Sequence, residues 1–128
     1  MLSFFYYLAM EYNLKHYAYI GDCVWELFIR NNIIQKTSVQ KQMHKLTTDF
    51  VNATSQANFL ALIEEKLTET EKEIQKRGRN LKISINKKNN PKIHSLATSF
   101  EVLIGYWYLN DKNRLDEMLK FLKDELFK

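Results

Sequence analysis

An all-α fold follows from three features of this sequence. Apolar residues recur at helical spacing along most of it, capping signals stand before three of those segments, and the one strand-like alternation, Leu81 to Asn86, is too short to build a sheet. A chain of 128 residues can bury one core but not a second folded module, so residues 1–128 are expected to form one domain. With 45% apolar and 13% aromatic residues, the composition excludes a disordered polyelectrolyte.

The apolar start, Leu2 to Met10, is too short to span a bilayer, has no basic residues before it and is followed by Glu11. It is expected as a buried first helix, with no membrane role. Between Tyr17 and Arg30, the residues Tyr17, Ile20, Val24, Leu27 and Phe28 predict a helix with a buried face, which Asn31 and Asn32 should end. After the polar run Thr37 to Gln42, Thr47 or Thr48 is expected to cap a long helix carrying Phe50, Val51, Ala57, Leu60, Ala61 and Leu67 on one side.

Thr68-Glu69-Thr70-Glu71 has capping-box spacing and predicts a new helix start at Thr68. That helix is expected to break at Gly78, the residue there that enters a left-handed cap freely. Asn90-Pro91 forms a cap and first-turn pair for a helix burying Leu96, Phe100, Leu103, Ile104 and Trp107. A last amphipathic helix should run from about Lys112, with Leu115, Met118, Leu119 and Leu122 inward.

Net charge of +4 leans toward a polyanionic partner. Cys23 is the only cysteine, so no disulfide can form within the chain, which fits a reducing compartment and an expected cytoplasmic location.

Glycine inside a helix costs about 1 kcal/mol relative to alanine, so Gly21 and Gly105, each in a strongly apolar helix, ask for a packing reason. Each has an acid beside it: Asp22 follows Gly21, and Glu101 lies one turn before Gly105 on the same face. If the helices cross at their glycines, the two carboxylates meet in a low-dielectric setting where both cannot comfortably ionise. A divalent cation would satisfy both, and magnesium commonly takes one or two protein carboxylates. Spacing alone favours the ordinary alternative, in which each acid pairs with a Lys or Arg or reaches solvent.

The run Ala18-Tyr19-Ile20-Gly21-Asp22-Cys23-Val24-Trp25-Glu26 resembles the signature helix of the ribonuclease III family. It is most similar to the Mini-ribonuclease III subgroup, which has the catalytic domain without a double-stranded-RNA-binding domain. Three further segments carry the resemblance: Met43-His44 with Thr48, Phe50-Val51, Ala53 and Gln56-Ala57; then Lys76-Arg77-Gly78-Arg79-Asn80; then Ala97 to Tyr106. The resemblance implies a ribonuclease III endonuclease-domain-like helical bundle and a homodimer with RNA lying across a valley between subunits. It further implies Mg2+ held by Asp22 and Glu101, which serve as catalytic and metal-binding residues. Cleavage of double-stranded RNA to 5′-phosphate products with short 3′ overhangs is implied too, in maturation of the large-subunit (23S) ribosomal RNA precursor.

Full-length family members carry two more acids, at the positions of Ala18 and Thr98 here, and the Mini subgroup shares the thinner site. Glu26, one turn after Asp22, is a candidate outer acceptor, with an ion pair to Arg30 as its alternative. Thr98 is a second outer-shell candidate.

Between Lys76 and Lys92 stand Lys76, Arg77, Arg79, Lys82, Lys87, Lys88 and Lys92, with no acid among them. This is the footprint of a phosphate-tracking segment, and these seven are the candidate RNA-binding residues. A-form RNA buries its base edges in a deep groove, so contacts should fall on phosphates and 2′-hydroxyls. His16, His44 and His94 lack ligand spacing and Cys or His companions, which argues against a zinc site. Cys23 has no activating base in sequence reach, and Trp25, Tyr106, Trp107 and Tyr108 are assigned to packing and dimerisation. A non-catalytic helical RNA-binding module is the alternative reading, and a helical scaffold with incidental charge the third.

Overall fold

The computed structural model describes the backbone of residues 2–81 and 90–128, and side chains from residue 13 within those ranges. It contains α1 (Leu2–Ile33), α2 (Gln40–Val51), α3 (Ala53–Ile63), a 3-10 turn (Glu64–Lys66), α4 (Glu69–Arg79), α5 (Pro91–Asn110) and α6 (Lys112–Leu126), and no strand among the described residues. The fold is all-α, as expected, and the short alternating run at 81–86 lies almost wholly outside the described residues.

Two expected boundaries moved. Asn31 and Asn32 do not end the first strong helix, because α1 runs unbroken for 32 residues and Asn32 folds its amide back onto the Phe28 carbonyl at 2.8 Å, inside the helix. This satisfies the Asn amide locally, so the residue that ordinarily favours a helix end is accommodated within one. Thr47 and Thr48 do not cap a helix either: both sit inside α2, their hydroxyls donating to the Met43 and His44 carbonyls. The expected long helix is two, divided at Asn52, whose extended backbone (φ −75°, ψ 160°) ends α2 while its side chain accepts from the Ser55 amide to cap α3.

Local capping signals were borne out where they were short-range. Thr68 and Glu71 form the full reciprocal box and Asn90 caps α5 ahead of Pro91; the α6 cap, Asp111 accepting from the Arg114 amide, was not among the signals read. Gly78 is a correction: no described residue has a positive φ, and α4 continues through it to Arg79. The glycine serves close packing instead, since a Cβ there would stand 3.1 Å from the Ser99 Cα. Beside it the buried Ser99 hydroxyl donates to the Gln75 carbonyl at 2.9 Å, tying α4 to α5.

The core wraps α5. Phe100, Leu103, Ile104 and Trp107 meet Trp25, Ile29 and Ile33 of α1, Phe59, Leu60 and Ile63 of α3, and Leu115, Met118 and Leu122 of α6. Trp25 is completely buried, packs edge-on to Phe100 and donates its indole N–H to the Phe50 carbonyl at 2.9 Å, so it also anchors the end of α2. Truncating such a residue to alanine costs about 3–5 kcal/mol. Trp25 and Trp107 are thus packing residues, and Tyr106 makes an edge contact with Tyr17 at 5.6 Å. Among the described residues, no helix is long and apolar enough to cross a membrane.

Candidate active site

The helices α1 and α5 cross with their backbones in close approach, and two glycines make it possible. A Cβ on Gly21 would fall on the carbonyl oxygen of Glu101 and within 2.9 Å of the Gly105 nitrogen. A Cβ on Gly105 would fall on the carbonyl oxygen of Tyr17 and within 2.8 Å of its Cα. Backbone cannot yield as a flexible side chain can, so only hydrogen fits at either position. The crossing therefore fixes Asp22, the residue after Gly21, beside Glu101.

Helical periodicity then decides what else faces this point. Residues three, four and seven apart share a helix face, so α1 contributes Lys15, Ala18, Tyr19 and Asp22. By the same rule α5 contributes His94, Thr98 and Glu101. Together they line a cavity of about 460 Å³ between the two helices. Ala18 and Thr98 are both buried, presenting a methyl and a hydroxyl where further acids would have added charge.

The electrostatics of the pair are those of crowded anions. Burial, and then the charge of Asp22, push the Glu101 carboxyl up to about 8. Partial burial, and then the charge of Glu26, raise Asp22 as well. Neither acid forms an ion pair among the described residues, so a Lys or Arg partner is not what the helices provide, while Asp22, unlike Glu101, is exposed and does reach solvent. Among the described residues no group of three or more His, Cys, Asp or Glu could hold a metal, leaving a site of two oxygen donors. That donor set suits a hard cation that keeps most of its coordination for water and phosphate.

The other candidates fall around this cavity unevenly. Glu26 pairs with Arg30 at 3.3 Å on the surface of α1, the alternative weighed for it above. Lys92 is exposed in the first turn of α5, two residues before His94. Lys76 and Arg79 line a different groove, on α4 with Glu64, Glu69 and Glu73, and Arg77 bonds Glu73 at 3.2 Å. Lys82, Lys87 and Lys88 lie outside the described residues. Cys23 is exposed and free.

Three cavity residues carried no sequence signal that was used: Lys15, Tyr19 and His94. A signal existed, since Lys15 precedes Asp22 by the same two helical turns as His94 precedes Glu101. His94 is unusual in that its Nε2 is enclosed without a hydrogen-bond partner. An unmet polar group of this kind costs about 1–3 kcal/mol.

Comparison with known proteins agrees with this geometry. The model of the ribonuclease III domain matches residues 15–112, a span containing both glycines and both acids. Mini-ribonuclease 3 of Clostridium tetani is 46% identical over 110 residues, covering 82% of this chain and 72% of the relative. The Mini-ribonuclease 3 of Synechocystis sp. is 37% identical over 106 residues, covering 83% and 74%. A crystal structure of a Fusobacterium nucleatum protein superposes with a TM-score of 0.74 at 29% identity, over 86% of this chain and 91% of that one. A glycine-built crossing with two crowded acids, lying inside the matched domain, leads to one assignment: the chain belongs to the ribonuclease III family of endoribonucleases, with the Mini-ribonuclease 3 proteins as its near relatives.

Proposed function

We propose that this endoribonuclease is magnesium-dependent and cuts double-stranded RNA, with Asp22 and Glu101 as the catalytic, metal-holding residues. The observation that carries the reading is the glycine crossing of α1 and α5, which crowds two unpaired carboxylates into one cavity and pushes Glu101 up to about 8. Crowded carboxylates bind a divalent cation because it removes their mutual repulsion and their desolvation cost together. When bound, magnesium supplies Lewis acidity for phosphodiester hydrolysis.

The chain's own residues do the rest. Asp22 and Glu101 face each other from rigid helices, so their carboxylates are held in place before substrate arrives. The Thr98 hydroxyl, buried one turn before Glu101, is placed to orient water or a carboxylate oxygen. Ala18 leaves the cavity open beside Asp22. Lys76, Arg77, Arg79, Lys82, Lys87, Lys88 and Lys92 bind duplex phosphates in this reading, giving affinity that falls with salt. The family resemblance supports 5′-phosphate products and a base-paired stem of the 23S ribosomal RNA precursor as substrate, and the single cysteine supports a cytoplasmic setting.

A homodimer belongs to the same proposal. Tyr19 and Leu27 stand 80% and 60% exposed on α1 and Ile34 stands 62% exposed in the turn just after it, large apolar side chains that a second copy would cover.

The test is cleavage of a base-paired RNA with magnesium, with EDTA, and with Asp22→Asn and Glu101→Gln. Loss of a residue supporting a metal ligand costs about 10–100-fold, so loss of a ligand itself should exceed roughly 100-fold. Full-rate cleavage by either variant would reject the metal role, and binding without cleavage by the unaltered protein would favour a non-catalytic RNA-binding module.

A further inference from the structure

We propose that Lys15 and His94 form a phosphate seat at the mouth of the acid cavity, holding the RNA strand at a phosphodiester beside the one that is cut. The two residues come from opposite walls, Lys15 on α1 and His94 on α5, each two turns ahead of one of the acids. The inference rests on the reading of the cavity as a ribonuclease site.

The argument begins with charge. Asp22 and Glu101 offer a phosphate no positive charge of their own, so a polyanionic strand entering the cavity needs positive or hydrogen-bond-donating groups beside them. Lys15 is the only lysine or arginine lining the cavity among the described residues, and it is exposed, with no ion pair or hydrogen bond there to hold it elsewhere. A flexible ammonium of this kind meets a phosphate as a point charge.

His94 brings the second element. Its ring lines the cavity while its Nε2 is enclosed and unpartnered, an unmet polar atom in a fold whose other buried polar groups are largely satisfied. A structural histidine would have used that nitrogen for a hydrogen bond. It does not join the acids as a metal ligand either, since no three-residue donor group is present among the described residues. A rotation of the ring about its Cβ–Cγ bond that freed this nitrogen would offer an N–H to a phosphate oxygen. With one group charged and the other a hydrogen-bond donor, the two contributions separate by their response to salt.

The experiment measures binding without turnover. Fluorescence anisotropy of a labelled RNA duplex in EDTA, across a salt series, is compared for the unaltered protein and for Lys15→Ala, Lys15→Arg, His94→Ala and His94→Gln, with Lys123→Ala on α6 as the control outside the cavity. Circular dichroism checks that each variant is folded, and the Arg and Gln variants keep both positions testable should an alanine disturb packing.

Lys15→Ala is expected to weaken binding about tenfold and to lower the salt slope by about 1, with Lys15→Arg retaining both. His94→Ala should weaken binding several-fold with the slope unchanged, and His94→Gln should recover most of it. In magnesium, KM should rise with Kd while kcat stays within about threefold. Unaltered affinity and slope in both alanine variants, or losses no larger than that of Lys123→Ala, would overturn the seat. If that occurs while cleavage still depends on Asp22 and Glu101, the nuclease reading stands and only the seat falls. Expected binding losses in a protein that never cleaves would leave an RNA phosphate contact at Lys15 and His94 but overturn its place beside a cut phosphodiester, together with the nuclease reading.

Discussion

Two glutamates sink into this small helical domain, and the fold treats them in opposite ways. Glu71, at the start of α4, has both oxygens fully engaged. Oε1 accepts from the Thr68 amide and Arg114 Nη2, each at 2.9 Å, and Oε2 accepts from Trp107 Nε1 at 2.8 Å and Arg114 Nε at 3.0 Å. Burial acts to raise its pKa, yet Arg114, Thr68 and Trp107 outweigh burial and the carboxyl ends below its ordinary value. Glu101, in the middle of α5, has burial and another anion and nothing opposing them, and it ends far above. A buried acid with every lone pair occupied holds helices together. A buried acid left with an anion for a neighbour is waiting for a cation from outside.

The largest expected effect breaks the first of these sites. Glu71→Ala takes from the Arg114 guanidinium, only 16% exposed, its buried carboxylate partner, leaving it Glu117 and the Lys66 carbonyl, and leaves the buried Trp107 N–H unmet. Breaking one side of a buried ion pair costs about 3–5 kcal/mol, which for a domain of this size lowers Tm by roughly 10–20 °C. Cleavage by the remaining folded protein should be nearly unchanged. A thermal melt showing less than about 1 kcal/mol of loss would remove the contrast between the two acids.

A smaller and opposite effect is expected at Glu101. In the unfolded chain this group releases its proton near 4.5, whereas in the metal-free fold it keeps it to about 8. Between those values the folded state binds more protons than the unfolded state, so stability falls as pH rises through that window and levels off above it. Glu71 has the reverse sign: its contribution is complete above 4.5 and is lost as pH falls through its lowered folded value. In EDTA, Glu101→Gln should therefore match the unaltered protein below pH 4.5 and exceed it near pH 8.5, by on the order of 1–3 kcal/mol. Magnesium should raise the Tm of the unaltered protein at pH 8.5 and leave that of the variant little changed. A variant less stable than its parent at high pH would show that Glu101 has an opposing partner after all.

How these two acids were visible in the sequence differs for a physical reason. The Thr68–Glu71 box is local, three residues apart, and its spacing could be read directly. Glu71's other partners, Trp107 and Arg114, stand 36 and 43 residues away, and nothing in the spacing announces them. The acid cavity was legible although its halves are far apart, because a glycine in a helix is costly and two of them, each with an acid nearby, ask for one explanation. Gly78 misled for the same reason that Gly21 informed: glycine serves either a left-handed turn or a close approach, and only packing decides which. Asn52 escaped notice because apolar periodicity runs across the α2–α3 break, and Asn32, expected as a helix end, lies inside α1 because its amide is satisfied there. Lys15 and His94 are single polar residues whose shared position exists only once α1 and α5 cross.

The smallest effect tests where the acid site stops. Glu26 lies one turn beyond Asp22 and contributes to raising it, yet its own carboxylate is held by Arg30 at 3.3 Å with both side chains about half exposed. Surface pairs of this kind contribute about 0–1 kcal/mol, because water screens them and two long side chains lose freedom to form them. Glu26→Gln and Arg30→Ala should each shift Tm by no more than about 3 °C and leave cleavage within about threefold. The two substitutions should also resemble each other, since each removes one half of the same weak contact. If Glu26→Gln instead slowed cleavage as severely as Asp22→Asn while Arg30→Ala did not, Glu26 would be serving the cation rather than the arginine. The boundary between crowded and satisfied acids would then run one helical turn further along α1.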